Sequence, residues 1–419
     1  MDSLHGRSET VKGVPASAII PVWNGRPYLV ECLDALLAQV PPGAEVIAVD
    51  NASTDGSGDL IEARYPTVRL IRNRDNLGFA GACNAGLRAA RGEVLILLNQ
   101  DTRVCEGWLD ALVRACRRPE VGVAGCKSFY PGGTTIQHAG GRIEWPLGMG
   151  HHEGAGAPDG DEWDHARQAD YVTGAAMAFR REVLDEVGLL DEGFWPGYYE
   201  DADFCFRVRS AGYEVWYVPD ACLIHDESTA LSGTRSLQVA FNRGRLRFVL
   251  KHLPPGRFLA EFVPAERELV AGAGEGEQGQ NLRRVYVEAI PMAAVLLARR
   301  WRAGPDLVNQ VLSALLGLYQ GAALGPVPAE PDLTEFEFES STPIVGPVLA
   351  RLRALWYSVA ARWAVRHLTQ QQQVLNRHYQ RRIEEQAALN EHAVRSLAVL
   401  AQEVSRLIQK LESERGDNE

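Results

Sequence analysis

Cysteines at metal or redox spacing are missing from this 419-residue sequence. Its seven cysteines, Cys32, Cys83, Cys105, Cys116, Cys126, Cys205 and Cys222, are scattered and form no CxxC. That excludes a zinc ribbon and fits reduced thiols better than a disulfide framework. Basic charge is also short: 43 Lys and Arg stand against 54 Asp and Glu, a net charge of −11. A general nucleic-acid binder would carry the opposite excess, so no nucleic-acid partner is expected. Spanning a membrane takes roughly 20 mainly apolar residues, and no stretch reads cleanly as one. The longest charge-free candidate, Leu307 to Ala329, is interrupted by Asn309, Gln310, Gln320, Pro326 and Pro328. Met1 to Gly13 is polar, so no secretory leader is expected. No internal repeat is visible, and no GxGxxG follows the first apolar run, which removes the dinucleotide fingerprint.

What is present is an ordinary hydrophobic content of 46%, in a chain long enough for more than one domain. The first half alternates short apolar runs with helical periodicity. Ala16 to Val22 ends in Trp23-Asn24-Gly25, Glu45 to Val49 in Asp50-Asn51, Val68 to Ile71 before Asn73, and Val94 to Leu98 in Asn99-Gln100-Asp101. Helical patterns cover Tyr28 to Ala38 and Ala80 to Ala90. Continuous apolar strands joined by helices imply an α/β fold with a mainly parallel sheet covered on both faces. Ligands of such sheets bind beyond the carboxyl ends of the strands. Asn24, Asp50, Asn51, Asn73 and Asp101 all fall there, and five polar residues at equivalent ends favour a ligand edge over turn chemistry.

The densest chemistry lies later, in Tyr198-Tyr199-Glu200-Asp201-Ala202-Asp203. Three carboxylates within four residues repel one another, so they belong at a cleft or on a metal unless they are only the acidic first turn of a helix. The isolated Asp101 after a buried strand tips the reading toward a metal–nucleotide site facing a catalytic base.

These motifs together resemble the family 2 glycosyltransferases, with their GT-A nucleotide-sugar fold. The matching pieces are Ile19-Ile20-Pro21-Val22-Trp23-Asn24-Gly25, Val49-Asp50-Asn51-Ala52-Ser53-Thr54-Asp55-Gly56, and Asn76-Leu77-Gly78-Phe79-Ala80 with Asn84. Leu97-Leu98-Asn99-Gln100-Asp101-Thr102, Thr173-Gly174-Ala175-Ala176-Met177, Tyr199-Glu200-Asp201-Ala202-Asp203 and His225 follow. The set covers about residues 14 to 255 and looks most like the rhamnosyltransferase-like bacterial branch.

The resemblance implies a nucleotide-sugar site of Pro21, Asn24, Asp50, Asn51, Asp55, Asn76, Gly78, Phe79, Asn84, Gln100 and Asp101. Asp55 either binds the ligand or fixes its turn. Gly78 lets the backbone approach a ligand closely. Asp101 matches the last acid of the family's metal-binding motif, with Asn99 and Gln100 where a second acid often stands. The cofactor implied is Mg²⁺ or Mn²⁺, with His225 either a further ligand or a structural histidine. By the same match Asp201 is the general base and Glu200 orients or substitutes for it. Gly174, Trp195 and Tyr199 form the acceptor side, although packing explains the aromatics equally well. Asn242, Arg243 and Arg247 contact phosphate or cap the fold.

After the catalytic region (14–255) the texture changes. Residues 256–280, with AGAGEGEQGQ at their end, read as a flexible linker, and 281–325 as helical. Residues 326–348 form an acidic, proline-rich connector. In 349–415 a basic helix with Trp356, Tyr357 and Trp363 reads as either interfacial or packed on the protein, giving way to a heptad-like seam of Leu397, Leu400, Val404, Leu407 and Leu411.

The expected activity is metal-dependent, inverting transfer of a sugar from a nucleoside-diphosphate sugar to a glycan or lipid-linked acceptor, in bacterial surface-polysaccharide synthesis. The expected location is the cytoplasm, with peripheral contact on the inner membrane face and a homo-oligomer through the tail as possibilities. A sugar nucleotidyltransferase would want an early glycine-rich loop with a basic residue, and the region after Val22 has none. The alternative from another class is a non-catalytic nucleotide-sugar-binding scaffold assembled by its coiled coil.

Overall fold

The computed structural model describes residues 14–226, 234–274 and 277–320. The chain falls into two units, dividing between Phe248 and Val249.

The first unit is built on a ten-stranded sheet. In chain order its strands are β1 (Val14–Val22), β2 (Glu45–Asp50), β3 (Arg69–Arg72), β4 (Gly92–Leu98), β5 (Thr102–Val104), β6 (Val121–Phe129) and β7 (Ile136–His138). A separate hairpin, β8 (Gly141–Glu144) and β9 (Met149–His152), follows, and the sheet is completed by β10 (Arg167–Gln168), β11 (Ala176–Arg180) and β12 (Glu214–His225). The main order is β10-β12-β6-β11-β4-β1-β2-β3. The pairs β1–β2, β1–β4, β2–β3 and β6–β12 are parallel, whereas β11 is antiparallel to both β4 and β6.

The reversal of β11 positions the site. Strands β1 to β4, β6 and β12 run one way, so their carboxyl ends share an edge. Because β11 runs against them, its amino end lies at that same edge. The backbone N–H of Asn99, just past β4, donates to the carbonyl of Ala175, just before β11 (2.8 Å).

Helices cover both faces, as the unbroken apolar strands require. One face packs Ile20, Val22, Val46, Ala48, Ile96 and Leu98 against α1 (Leu29–Leu37) and α4 (Trp108–Cys116). The other packs Ile19, Ile47, Val49, Leu95 and Leu97 toward α3 (Gly78–Ala89) and the later helix Glu200–Ser210. Alternate residues of one strand thus enter opposite cores, the period-2 rule of a strand. The expected helices at 28–38 and 80–90 are present as Leu29–Leu37 and Gly78–Ala89.

The second unit corrects the linker expectation. Residues 256–280 are mostly helical: Pro255–Arg257, a π turn at Phe258–Phe262, and Val263–Gly272, with a further helix starting at Glu277. The reason is burial. Phe258, Phe262, Val263 and Val270 are inside, and buried Glu266 accepts a hydrogen bond from the hydroxyl of buried Tyr286 (2.5 Å). The glycine-rich wording describes only the short break after Gly272, where Gly274 takes φ +66°. Helices Glu277–Arg300 and Pro305–Gln320 pack through Val285, Ala289, Ala293, Val311 and Leu315. Among the described residues no helix is long and apolar enough to cross a membrane. The acidic connector, the basic helix and the heptad seam lie outside the described residues.

Candidate active site

At the carboxyl ends of β1 to β3 the predicted nucleotide residues are brought together, chiefly by bonds to one another. Asn24 takes φ +49°, its N–H donates to Ser53 Oγ (3.0 Å), and its Oδ1 accepts from the Thr54 N–H (2.8 Å). Gln100 lies flat against Trp23, accepting from its N–H (2.9 Å) and donating to its carbonyl (3.1 Å). This amide pairing explains Gly25, since a Cβ there would fall 2.0 Å from Gln100 Oε1. Asp55 serves its turn: its oxygens accept from Arg26 N–H (3.0 Å), Ser57 N–H (3.0 Å) and Ser57 Oγ (2.5 Å). Those bonds hold its carboxyl below the ordinary range even though partial burial works the other way.

Asn51 makes four bonds: to Asn76 Oδ1 (2.8 Å) and the Gly78 carbonyl (3.2 Å), and from Asn73 Nδ2 (2.9 Å) and the Leu77 N–H (3.1 Å). Asp50 accepts from the Ser53 N–H (2.9 Å) and lies 3.5 Å from Arg72, a residue that the sequence reading did not single out. Pro21 is a buried β1 residue opposite Val49. Asn84 is turned elsewhere: it donates to the Leu190 carbonyl and Glu192 (2.9 Å each) and accepts from the Leu190 N–H (3.1 Å). It anchors the segment before Trp195 and does not face the edge loops.

The second group forms around Asp101. Antiparallel pairing of β12 with β5 places His225 opposite Thr102, and the Asp226 N–H donates to the Asp101 carbonyl (2.9 Å). His225 Nε2 consequently lies 3.3 Å from Asp101 Oδ1, both side chains being nearly buried. The other ring nitrogen, Nδ1, is 2.9 Å from Gln137 Oε1. A carboxylate oxygen and an imidazole nitrogen side by side are a chemically suitable pair for Mg²⁺ or Mn²⁺. Among the described residues no cluster of three or more His, Cys, Asp or Glu forms a fuller metal site. A hard cation held by one or two protein groups keeps water and substrate phosphate as its remaining ligands.

The third group surrounds Asp201, in the first turn of α6 (Glu200–Ser210). Its Oδ2 accepts from the Gly174 N–H (2.8 Å) and its Oδ1 from the Ala202 N–H (2.7 Å). The chain then links the groups directly: Gly174 holds Asp201, and its neighbour Ala175 holds Asn99, two residues before Asp101. Phe79 closes one side, its ring 3.1 Å from where a Cβ on Gly174 would be. The Phe79 N–H donates to the Pro196 carbonyl (2.9 Å), which brings exposed Trp195 (52% accessible) beside Gly78. Gly78 has φ +74°, and a Cβ there would sit 2.7 Å from the Trp195 ring. Arg243 donates to the Trp195 carbonyl, and Arg247 grips Asp191 with two nitrogens (2.7 to 3.1 Å). Asn242 donates to the Gln238 carbonyl (2.9 Å).

The two acids of the pair differ. Burial raises the carboxyl of Asp201, while the two backbone N–H bonds and the charge of His152 pull against it. Glu200 is 5% accessible, its Oε2 has no hydrogen-bond partner among the described residues, and burial beside Asp201 pushes its carboxyl well up. Burial thus pushes both carboxyls up, and only Asp201 has two backbone N–H donors that favour its charged form. Asp203, wholly buried, accepts from Arg207 Nε (3.0 Å), and Arg207 in turn caps the carbonyls of Val187 and Leu189.

Tyr199 departs from its expected place on the acceptor surface. Its ring is buried against Phe241 and Phe248, and its hydroxyl donates to the Gly148 carbonyl (2.9 Å) and accepts from the Gly150 N–H (3.2 Å). It pins the β8–β9 hairpin against α6. Tyr198 and Tyr199 both take left-handed φ, +77° and +72°, a cost of order 1–3 kcal/mol each. Strain is thereby concentrated immediately before the acid pair. The hairpin brings His152 toward Asp201 and stacks it edge-on to buried His138 (4.7 Å between centroids). His152 and Gln137 were missed in the sequence because their only signal is the tertiary contact.

Residues 17–188 match the sequence profile of Glycosyl transferase family 2. Among curated proteins, the chain is 33% identical over 231 residues to the uncharacterized protein y4gI of Sinorhizobium fredii, covering 52% of this chain and 25% of that one. It is 34% identical over 233 residues to the O-antigen biosynthesis protein RfbC of Myxococcus xanthus, covering 52% and 18%. The chain thus spans a quarter or less of the length of these two relatives. With N-acetylglucosaminyl-diphospho-decaprenol L-rhamnosyltransferase of Mycobacterium tuberculosis it shares 28% identity over 239 residues, 50% of this chain and 76% of that one.

Proposed function

We propose, from the match of residues 17–188 to the Glycosyl transferase family 2 model, an inverting transfer from a nucleoside-diphosphate sugar to a hydroxyl of a glycan or lipid-linked acceptor. The setting proposed is the building of a bacterial surface polysaccharide, in keeping with the names of the O-antigen and rhamnosyltransferase relatives. One observation carries the reading. The two-residue bridge Gly174–Ala175 ties the carboxylate of Asp201 to the strand end that bears Asp101 and His225.

In this reading Asp201 takes the acceptor hydroxyl's proton as that oxygen attacks the anomeric carbon. Its raised basicity suits it to that task, because a base works best with a pKa near the working pH. Burial and the neighbouring Asp201 charge disfavour a second negative charge on Glu200. The Gly174 and Ala202 N–H groups fix the carboxylate's direction. Asp101 and His225 would hold Mg²⁺ or Mn²⁺, whose chemistry is to neutralise charge on the departing diphosphate. Trp195 and Phe79 offer apolar faces to a sugar ring.

The test is release of nucleoside diphosphate across UDP-, GDP- and dTDP-sugars, with Mn²⁺, Mg²⁺ or EDTA, and a lipid-linked or glycan acceptor. Release from one donor, suppressed by EDTA and by Asp101→Asn, is expected. Full turnover by Asp201→Asn would remove Asp201 as the base, and donor-independent background alone would sink the activity.

A further inference from the structure

The Asp101–His225 pair has an imidazole whose usefulness to a cation depends on which nitrogen bears the proton. Only a nitrogen without hydrogen offers a lone pair, and the partner of the other nitrogen decides the tautomer. That partner is Gln137. Its Oε1 lies 2.9 Å from His225 Nδ1, and an amide oxygen only accepts, so Nδ1 donates.

Gln137 reaches His225 by a local irregularity of β7. Ile136 pairs with Phe129 and His138 with Ser128, so consecutive β6 residues face alternate β7 residues, and Gln137 is the extra residue of a bulge. Bulges re-aim a side chain that regular pleating would point elsewhere. The same β6 residue, Phe129, pairs with Ile224, the neighbour of His225, so the bulge and the histidine lie at one level of the sheet. Gln137 is 6% accessible, and its Nε2 has no hydrogen-bond partner among the described residues. A buried amide nitrogen left unsatisfied is unfavourable, and turning the amide would instead make Nε2 the donor to Nδ1. The ring proton would then move to Nε2 and point at Asp101 Oδ1, 3.3 Å away. The two amide orientations therefore open or close the pair to a cation.

We propose that Gln137 is a positioning residue: its carbonyl holds the His225 proton on Nδ1, so that Nε2 presents its lone pair beside Asp101 Oδ1. The inference rests on the reading of Asp101 and His225 as the cation site, and its first test needs no cation.

Long-range ¹H–¹⁵N spectra of the metal-free, full-length protein report the tautomer of each of its ten histidines. His225 is assigned by its loss in His225→Gln. The expected spectrum has a protonated Nδ1 and a bare Nε2 for His225. Gln137→Leu should erase that preference and Gln137→Glu, which keeps an acceptor, should retain it. Calorimetric titration with Mn²⁺ alone should show affinity weakened about 10- to 100-fold by Gln137→Leu, the usual scale for an outer partner of a metal-bound histidine, and held within about threefold by Gln137→Glu. A His225 carrying its proton on Nε2 in the wild type overturns the proposal. So does a folded Gln137→Leu that binds Mn²⁺ as well as wild type. A wild type that binds no Mn²⁺ while Nδ1 stays protonated upholds the tautomer assignment and overturns the cation site beneath it.

Discussion

The strand ends of β1 to β3 and the strand end of β4 with α6 carry the same kinds of polar residue and use them differently. Along the first, Asn24, Asn51, Asp55 and Asn76 direct their bonds to neighbouring loops. Asn51 alone joins four groups from the 73–78 loop. Along the second, Asp101 and His225 meet side chain to side chain, Asp201 is held by two backbone N–H groups, and Glu200 leaves an oxygen without a partner among the described residues. The lesson is that a polar residue at the end of an α/β strand has two occupations. Irregular loops leave backbone N–H and C=O groups needing partners, and side chains on the spot satisfy them. Chemistry requires spare capacity: each oxygen of Asp201 accepts one backbone N–H, and a carboxylate has further lone pairs to take a proton.

The largest effects should separate those occupations. Asp201→Asn should lower kcat by about 10²- to 10⁴-fold, the range for loss of a general base, out of proportion to the modest fall in melting temperature expected from facing an amide N–H to one backbone donor. Asn51→Ala should do the reverse. It strands the buried Gly78 carbonyl and the part-buried Leu77 N–H, at about 1–3 kcal/mol, and so should lower the melting temperature by several degrees while turnover at a permissive temperature falls far less. Thermal melts and steady-state kinetics on both variants decide it. An Asn51→Ala protein as stable as wild type but as slow as Asp201→Asn would break the comparison, because Asn51 would then be a ligand group.

Much of the frame is legible in the sequence for a physical reason: buried parallel strands are written as largely apolar runs. The runs at 16–22, 45–49 and 94–98 correspond to the buried β1, β2 and β4, the run at 68–71 to the half-exposed β3, and their polar ends do share an edge. The candidate residues Asp101, His225 and Asp201 are picked out in the sequence only by a set of motifs in order, and the structure brings His225 beside Asp101. What escaped depends on long-range contact. Nothing local says that Asn84 bonds across 106 residues to Leu190, or that the hydroxyl of Tyr199 reaches back to Gly148. The reversal of β11 is equally invisible, since a short buried run reads the same in either direction. Over residues 256–280 the glycine-rich composition is confined to 271–280, whereas buried Phe258 and Phe262 anchor the segment before it.

A finer comparison lies within the acid pair. Glu200 has a folded-state pKa raised above its unfolded value of about 4.3. Between those two values the folded chain binds more protons than the unfolded one, so its stability falls as pH rises through that window. Asp201 is shifted in the same direction and contributes the same sign in both proteins. Glu200→Gln has no proton to lose. Its melting temperature should therefore gain on wild type progressively from pH 5 to pH 8, by a few degrees at most, with kcat kept within about tenfold. Melts across that range measure it. A difference that stays flat with pH would mean that Glu200 ionises as an ordinary surface acid, and the contrast drawn between the two acids would fail with it.

The smallest effect concerns the far end of the ladder that positions His225. Two residues past the paired Ile224 and Arg103, the Cys105 N–H donates to the Cys222 carbonyl (2.9 Å), and the two thiols face each other. The hydrogen bond from Cys222 pulls the Cys105 thiol down to about 7, against partial burial and with help from Arg103, while Cys222 itself is pushed up. Burial holds Cys32, Cys116 and Cys205 near about 12 and Cys126 near about 11, and raises Cys83 well above its usual value. Since the thiolate is the nucleophile, one equivalent of iodoacetamide should alkylate Cys105 first, with a rate that rises through a midpoint near pH 7. Cys222→Ala should move that midpoint toward the ordinary thiol value of about 8.5. Peptide mapping of the alkylated protein against pH reads both. First labelling at any other cysteine, or a midpoint that Cys222→Ala leaves in place, would show that β5 and β12 do not meet as the register requires, and the same register is what brings His225 to Asp101.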